Sequence, residues 1–197
     1  LISADWLQRE LMSCGRRHGS DNCVGIPWAA GRRPERLTLL PDAIRLGCMS
    51  VREATTDESA KVAGLVLALL NELCGDTPSG YDLTDLSATA AALLQAGDIT
   101  ALLADHAGQA TGVLVLNRCA SLYAGRFGEI SELYVKPEFR SAGIGEALIR
   151  AAAAIARERG WSRLEVGTPE LPAWARTAAF YKRNGFIDVG MRMKLTL

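Results

Sequence analysis

The stretch that most constrains this sequence runs from Phe127 to Gly160. There a strand-like segment is stopped by Pro137 and, after a turn carrying Gly143 and Gly145, gives way to a long Ala-rich helix. Ile144, Leu148, Ala152 and Ile155 recur at helical spacing and form its expected buried face. Gly160 is its expected end. A strand that feeds a helix through a short turn belongs to a layered fold of helices on a sheet.

The flanking residues supply the other elements. Ser50 to Ala54 reads as a strand, and Thr55 with Glu58 forms a capping box ahead of a helix. Val62, Leu65, Val66, Leu69, Leu70 and Leu73 make that helix's apolar stripe, which Gly75 closes. After a polar loop, Asp76 to Asp82, a second helix turns Leu86, Ala90, Leu93 and Leu94 inward and ends at Gly97. Ile99 to Ala104 and Thr111 to Leu116, joined by a turn over His106 to Gln109, read as an antiparallel hairpin. Beyond Gly160, the expected elements are a strand at Arg163 to Val166, a helix at Ala173 to Asn184, and strands at Ile187 to Gly190 and Arg192 to Leu197. The expected class is α/β (α+β), a mixed, mostly antiparallel sheet flanked by helices.

With 197 residues, 49% of them hydrophobic, the chain can build one core of ordinary domain size. Lys and Arg number 22, as do Asp and Glu, so no overall field favours nucleic acid or a lipid surface. Apolar runs such as Val62 to Leu70 fall short of the roughly 20 residues that span a bilayer, so a soluble protein is expected. Cys14, Cys23, Cys48, Cys74 and Cys119 are irregularly spaced, which reads as reduced thiols of a cytoplasmic protein. Cys14, His18 and Cys23 lack a fourth ligand at zinc spacing, so no metal is expected. The first residues lack the apolar run of a secretion signal, so none is expected. Residues 1 to 48 show clustered arginines (Arg16, Arg17, Arg32, Arg33, Arg36) and no sustained hydrophobic period. They read as a poorly ordered extension upstream of a start at Met49, against the alternative of a targeting or partner-binding arm.

The chemistry is expected at Glu129 to Gly145. A helix that opens there presents unpaired N–H groups and the positive end of its dipole, a setting for phosphate. Gly143 and Gly145 allow close approach of an anion, and Arg140 adds a charged donor. Leu148 stands where a dinucleotide fingerprint needs a small residue, and the Lys-Ser/Thr of a Walker loop is missing after Gly145.

Leu133 to Leu148, Leu-Tyr-Val-Lys-Pro-Glu-Phe-Arg-Ser-Ala-Gly-Ile-Gly-Glu-Ala-Leu, resembles the signature of the GNAT superfamily of acetyl-CoA-dependent N-acetyltransferases. Phe180-Tyr-Lys-Arg-Asn-Gly-Phe186 is similar to that family's second motif, and the likeness extends over about residues 49 to 197. The resemblance implies an acyl-CoA N-acyltransferase fold with acetyl-CoA as donor. It implies that the pantetheine arm pairs with the strand backbone at Leu133, Tyr134 and Val135. The pyrophosphate would rest on the N–H groups of Arg140, Ser141, Ala142, Gly143, Ile144, Gly145 and Glu146. The Leu133 N–H would polarise the thioester carbonyl and hold the oxyanion of a tetrahedral intermediate.

Tyr181 matches the tyrosine that protonates the departing thiolate in members of the family, against a packing role for its ring. Glu129, Glu132 and Glu165 resemble positions that carry the base in different branches. Strand alternation sets Glu129 and Glu132 on opposite faces unless a bulge intervenes. Asp76, Asp82 and Asp85 would either rim a cationic-amine pocket or cap a helix, the second reading being favoured. The segment from Gly167 to Thr177 departs from the family pattern, and Trp174 and Arg176 either shape the acceptor pocket or pack on the sheet. The expected acceptor is a small-molecule or peptide amine, the expected state a monomer or homodimer, with neither nucleic acid nor membrane as partner. A CoA-binding sensor without turnover and an acetyltransferase acting on aminoacyl-tRNA are the competing readings, the latter disfavoured by the balanced charge.

Overall fold

A computed structural model of the chain describes residues 49–75, 79–167 and 174–190. The expected extension over residues 1 to 48, the candidate ligands Cys14, His18 and Cys23, Asp76, and the expected strand from Arg192 to Leu197 lie outside these residues.

The first strand, β1 (Met49–Glu53), leads into the capping box. Thr55 N–H donates to the Glu58 carboxylate at 3.2 Å, and a 3-10 turn at Thr56–Glu58 opens helix α1 (Ser59–Cys74). Arg52 holds the same Glu58 at 2.6 Å and Asp105 at 2.8 Å, which ties the helix start to the sheet. Helix α2 (Leu83–Ala96) begins where Asp82 Oδ1 accepts from the N–H groups of Thr84 and Asp85, and it ends at left-handed Gly97. Asp82 therefore caps a helix, as its position in a polar loop suggests.

Strands β2 (Ile99–His106) and β3 (Gln109–Ser121) form a hairpin around Ala107 and Gly108, both at positive φ, a geometry that suits the twist of a two-residue turn. Strand β4 (Gly125–Val135) follows, then a 3-10 turn at Pro137–Phe139 and helix α3 (Ile144–Glu158). Strand β5 (Leu164–Val166) and helix α4 (Ala175–Arg183) complete the described elements. The sheet order is β1-β2-β3-β4-β5, antiparallel except for the parallel β4–β5 pair. Ile187 to Gly190, expected as a strand, is not assigned to one among the described residues.

Two apolar layers flank the sheet. On one face Val62 and Leu65 of α1 pack on Ala101, Leu103, Val113, Val115 and Tyr134. On the other, Ile144, Leu148, Ala152 and Ile155 of α3 pack with Leu102, Leu114, Leu116, Ile130 and Tyr181 of α4. Burying a side chain such as Leu148, fully enclosed here, contributes about 1.5–3 kcal/mol. The stripe of α1 is buried only toward its start. Leu73 is 41% exposed, because the last turn of α1 meets Arg140, beyond the end of β4, through the neighbouring Glu72.

Two glycines set the packing distances of β3 and β4. A Cβ at Gly128 would lie 2.5 Å from the Trp161 ring, and one at Gly112 would lie 3.0 Å from the Tyr134 carbonyl oxygen and 3.3 Å from Leu148. Among the described residues no helix is long and apolar enough to cross a membrane.

Candidate active site

The site begins with a fault in β4. Leu116 pairs with Ile130 but Val115 pairs with Glu132, so Ser131 is an extra residue opposite β3. A bulge of this kind shifts the alternation by one. Glu129, opposite Asn117, and Glu132, opposite Val115, therefore share the α1 face, and the opposite-face expectation fails on the condition that qualified it. The Ser131 hydroxyl donates to the Glu132 carboxylate.

The same fault frees an edge. Strand β5 pairs with β4 only from Gly128 to Ile130. Lys136 N–H donates to Thr111 O at 2.9 Å on the β3 side, so alternation directs the N–H and C=O groups of Leu133 and Val135 to the opposite edge. That edge has no strand partner among the described residues past Ile130.

Beyond the edge lies the glycine-bearing loop. Arg140 is extended, Ser141 has φ 62°, and Gly143 has φ 78° as the N-cap of α3, without a side-chain cap. Ala147 N–H makes the first bond back, to Gly143 O at 3.0 Å, so the N–H groups of Ile144, Gly145 and Glu146 have no intrahelical acceptor. These donors and the helix dipole fit the phosphates of CoA. Gly143 supplies the left-handed turn. At Gly145 packing also calls for glycine: a Cβ there would lie 3.0 Å from the Phe180 ring.

Arg140 also departs from expectation. Its Nε donates to Val135 O at 2.9 Å, its Nη2 to Glu72 Oε2 at 2.5 Å, and its guanidinium lies 5.6 Å from the Tyr134 ring centre. The side chain is turned to the strand and α1.

Three candidate carboxylates stand in different surroundings. Burial and then the like charge of Glu129 push the Glu132 carboxyl above the usual range, against the opposing Ser131 hydrogen bond. Glu129 is half-buried with Cys119 Sγ 3.8 Å from its Oε2. Glu165, beside Glu129 on β5, accepts from Arg163 Nε at 2.7 Å, and Arg163 stacks on Phe127 and Tyr123.

Tyr181 sits on the opposite, α3 face, in contact with the edges of Phe180 and Phe186, each with ring centres 5.4 Å away. Desolvation pushes its phenol up to about 12. Trp174 stands at the N-cap of α4 and Arg176 is exposed on its first turn.

Sequence reasoning missed Glu72 and Ser131. A glutamate near a helix end carries no signal for a partner far along the chain, and a serine in a strand gives none for a bulge. Gly128 carried a weak one, since glycine inside a strand marks close approach.

Residues 97–188 match the family model described as an acetyltransferase (GNAT) domain. This segment is a GNAT acetyltransferase domain. The match starts at the end of α2 and runs through the bulged strand, the loop and α4, so this domain carries both motifs on the elements where they were expected. Carrying this domain, the protein is an N-acetyltransferase.

Glucosamine 6-phosphate N-acetyltransferase 1 of Oryza sativa subsp. japonica is 28% identical over 142 residues, covering 70% of this chain and 82% of that protein. An aminoglycoside acetyltransferase from an uncultured soil metagenomic sample, in complex with trehalose, superposes with a TM-score of 0.65 at 18% identity over 78% of this chain and 99% of its own. A predicted acetyltransferase with acetyl-CoA from Clostridium acetobutylicum gives a TM-score of 0.63 at 18% identity over 75% and 96% of the two chains. At these identities the two structures show the shared fold.

Proposed function

We propose that this chain transfers an acetyl group from acetyl-CoA to a primary amine of a small molecule by direct attack. The observation that carries the reading is the open edge of β4 at Leu133 and Val135, which runs straight into a loop of unpaired N–H donors at the start of α3. An extended amide-bearing arm ending in phosphates is the ligand such an edge and loop fit, by strand addition at one end and helix-start recognition at the other.

When bound, acetyl-CoA supplies an activated acyl thioester. The Leu133 N–H, on the open edge, donates to the acyl oxygen as it gains charge. Glu132, on the α1 face, takes the proton of the attacking amine directly or through one water, and its raised pKa makes it a stronger base than an exposed glutamate. Glu129 keeps that pKa up and draws a cationic amine to the same face. Tyr181, protonated over the whole working range, donates to the departing sulfur from the α3 face. The unpaired edge of β4 past Ile130 is where groups from the two faces would meet one reacting centre.

The relative named for glucosamine 6-phosphate and the structure named for aminoglycosides support an amino sugar as the first acceptor class to try. The donor half is tested by amide hydrogen exchange with and without CoA. Saturating CoA is expected to slow exchange at Leu133, Val135 and Ile144 to Glu146. It should also raise stability by about 2.7 kcal/mol at a hundredfold excess over Kd. Unchanged exchange at these amides with CoA bound would move the donor site elsewhere.

A further inference from the structure

Ser141 is a non-glycine residue in the left-handed region, at φ 62°, in the middle of the donor loop. Such a conformation is costly and persists only where its surroundings over-determine it. No side chain caps α3 at Gly143, so the restraint must come from the other side of Ser141. There Arg140 is held at three points: the Val135 carbonyl at 2.9 Å, the Glu72 carboxylate at 2.5 Å, and the face of the Tyr134 ring, itself buried against α1. Glu72 is the only one of the three that lies outside the strand and loop being positioned. It comes from the last turn of α1, two residues before the helix ends.

We infer that Glu72 is a positioning residue for the donor site: by clamping Arg140 against the end of β4, it holds the loop in the conformation that aims its N–H groups at the phosphates. Arg140 then serves as a strut, its charge neutralised by Glu72, and the backbone does the binding. The clamp also joins the acceptor-side helix to the donor loop, since α1 covers the face that carries Glu129 and Glu132. Because Glu72 is exposed and touches none of the reacting groups, its loss acts on donor affinity and spares the chemical step.

This inference rests on the donor reading above. Calorimetric titration of the full chain with CoA tests both, alongside kcat and KM for acetyl-CoA. Glu72→Gln is expected to raise the Kd for CoA about tenfold, the order set by the strain of one left-handed residue. KM should rise with it, while kcat stays within about twofold. Ser141→Gly, placed on top of Glu72→Gln, is expected to bring Kd back toward that of the native chain, because glycine holds a positive φ without strain. An unchanged Kd in Glu72→Gln overturns the clamp, as does tighter binding, which would mean that Glu72 merely repels a polyanion. So does a loss that Ser141→Gly leaves uncorrected. Absence of CoA binding by the native chain overturns the donor reading and the clamp with it.

Discussion

Glu132→Gln is expected to lower kcat by about two to four orders of magnitude, the range that a positioned general base supplies. The amide keeps the size of the side chain and an acceptor for the Ser131 hydroxyl but cannot take a proton. The pH dependence separates this from a packing defect. In the native enzyme the acidic limb of kcat should lie above the usual carboxylate range, because burial and the charge of Glu129 disfavour ionisation of Glu132. Glu129→Gln removes the like charge, so the limb should move to lower pH while most of kcat survives. Glu165→Gln is expected to do neither, since the Glu165 carboxylate is already matched by Arg163 at 2.7 Å. A normal rate in Glu132→Gln, with loss in Glu129→Gln, would exchange the two roles.

The second large effect is at Tyr181. Tyr181→Phe should reduce kcat by about a hundredfold with little change in the KM for acetyl-CoA, as expected for a proton delivered in the transition state. The same substitution has a separate signature in stability. The native phenol holds its proton up to about pH 12, whereas an unfolded tyrosine loses it near 10.0. Between those values the folded state binds more protons than the unfolded one, so stability falls as pH rises. Tyr181 contributes about 1.4 kcal/mol per pH unit to that slope, and Tyr181→Phe should remove this contribution while that of the also raised Tyr134 remains. Loss of that contribution with an unaltered kcat would leave Tyr181 as a buried aromatic.

Much of this was legible before any coordinates. The capping box at Thr55 and Glu58, the hairpin about Ala107 and Gly108, and the helix ends at Gly75 and Gly97 are local, and local chemistry is written in adjacent residues. The start of α3 after Gly143 was readable for the same reason, and its free N–H groups follow from where the helix begins. The relation between Glu129 and Glu132 was not, because the Ser131 bulge depends on which residues β3 offers opposite β4. Nor was the fate of Arg140 readable, since its partner Glu72 is distant in sequence. At Gly145 a further demand for glycine, the Phe180 ring, comes from a segment distant in sequence. Pairings between distant segments decide what a side chain faces, and a single sequence does not display them.

The central claim is that the open edge of β4 and the loop after it serve turnover of acetyl-CoA onto an amine. It is tested most directly by following thiol release when the full chain meets acetyl-CoA and a panel of primary amines: amino sugars, aminoglycosides, a peptide N-terminus and lysine. Thiol release that requires both the protein and an amine, and that falls with Glu132→Gln, is the expected result. Acetyl-CoA binding with no amine-dependent thiol release across the panel would contradict it and leave the chain a CoA-binding module.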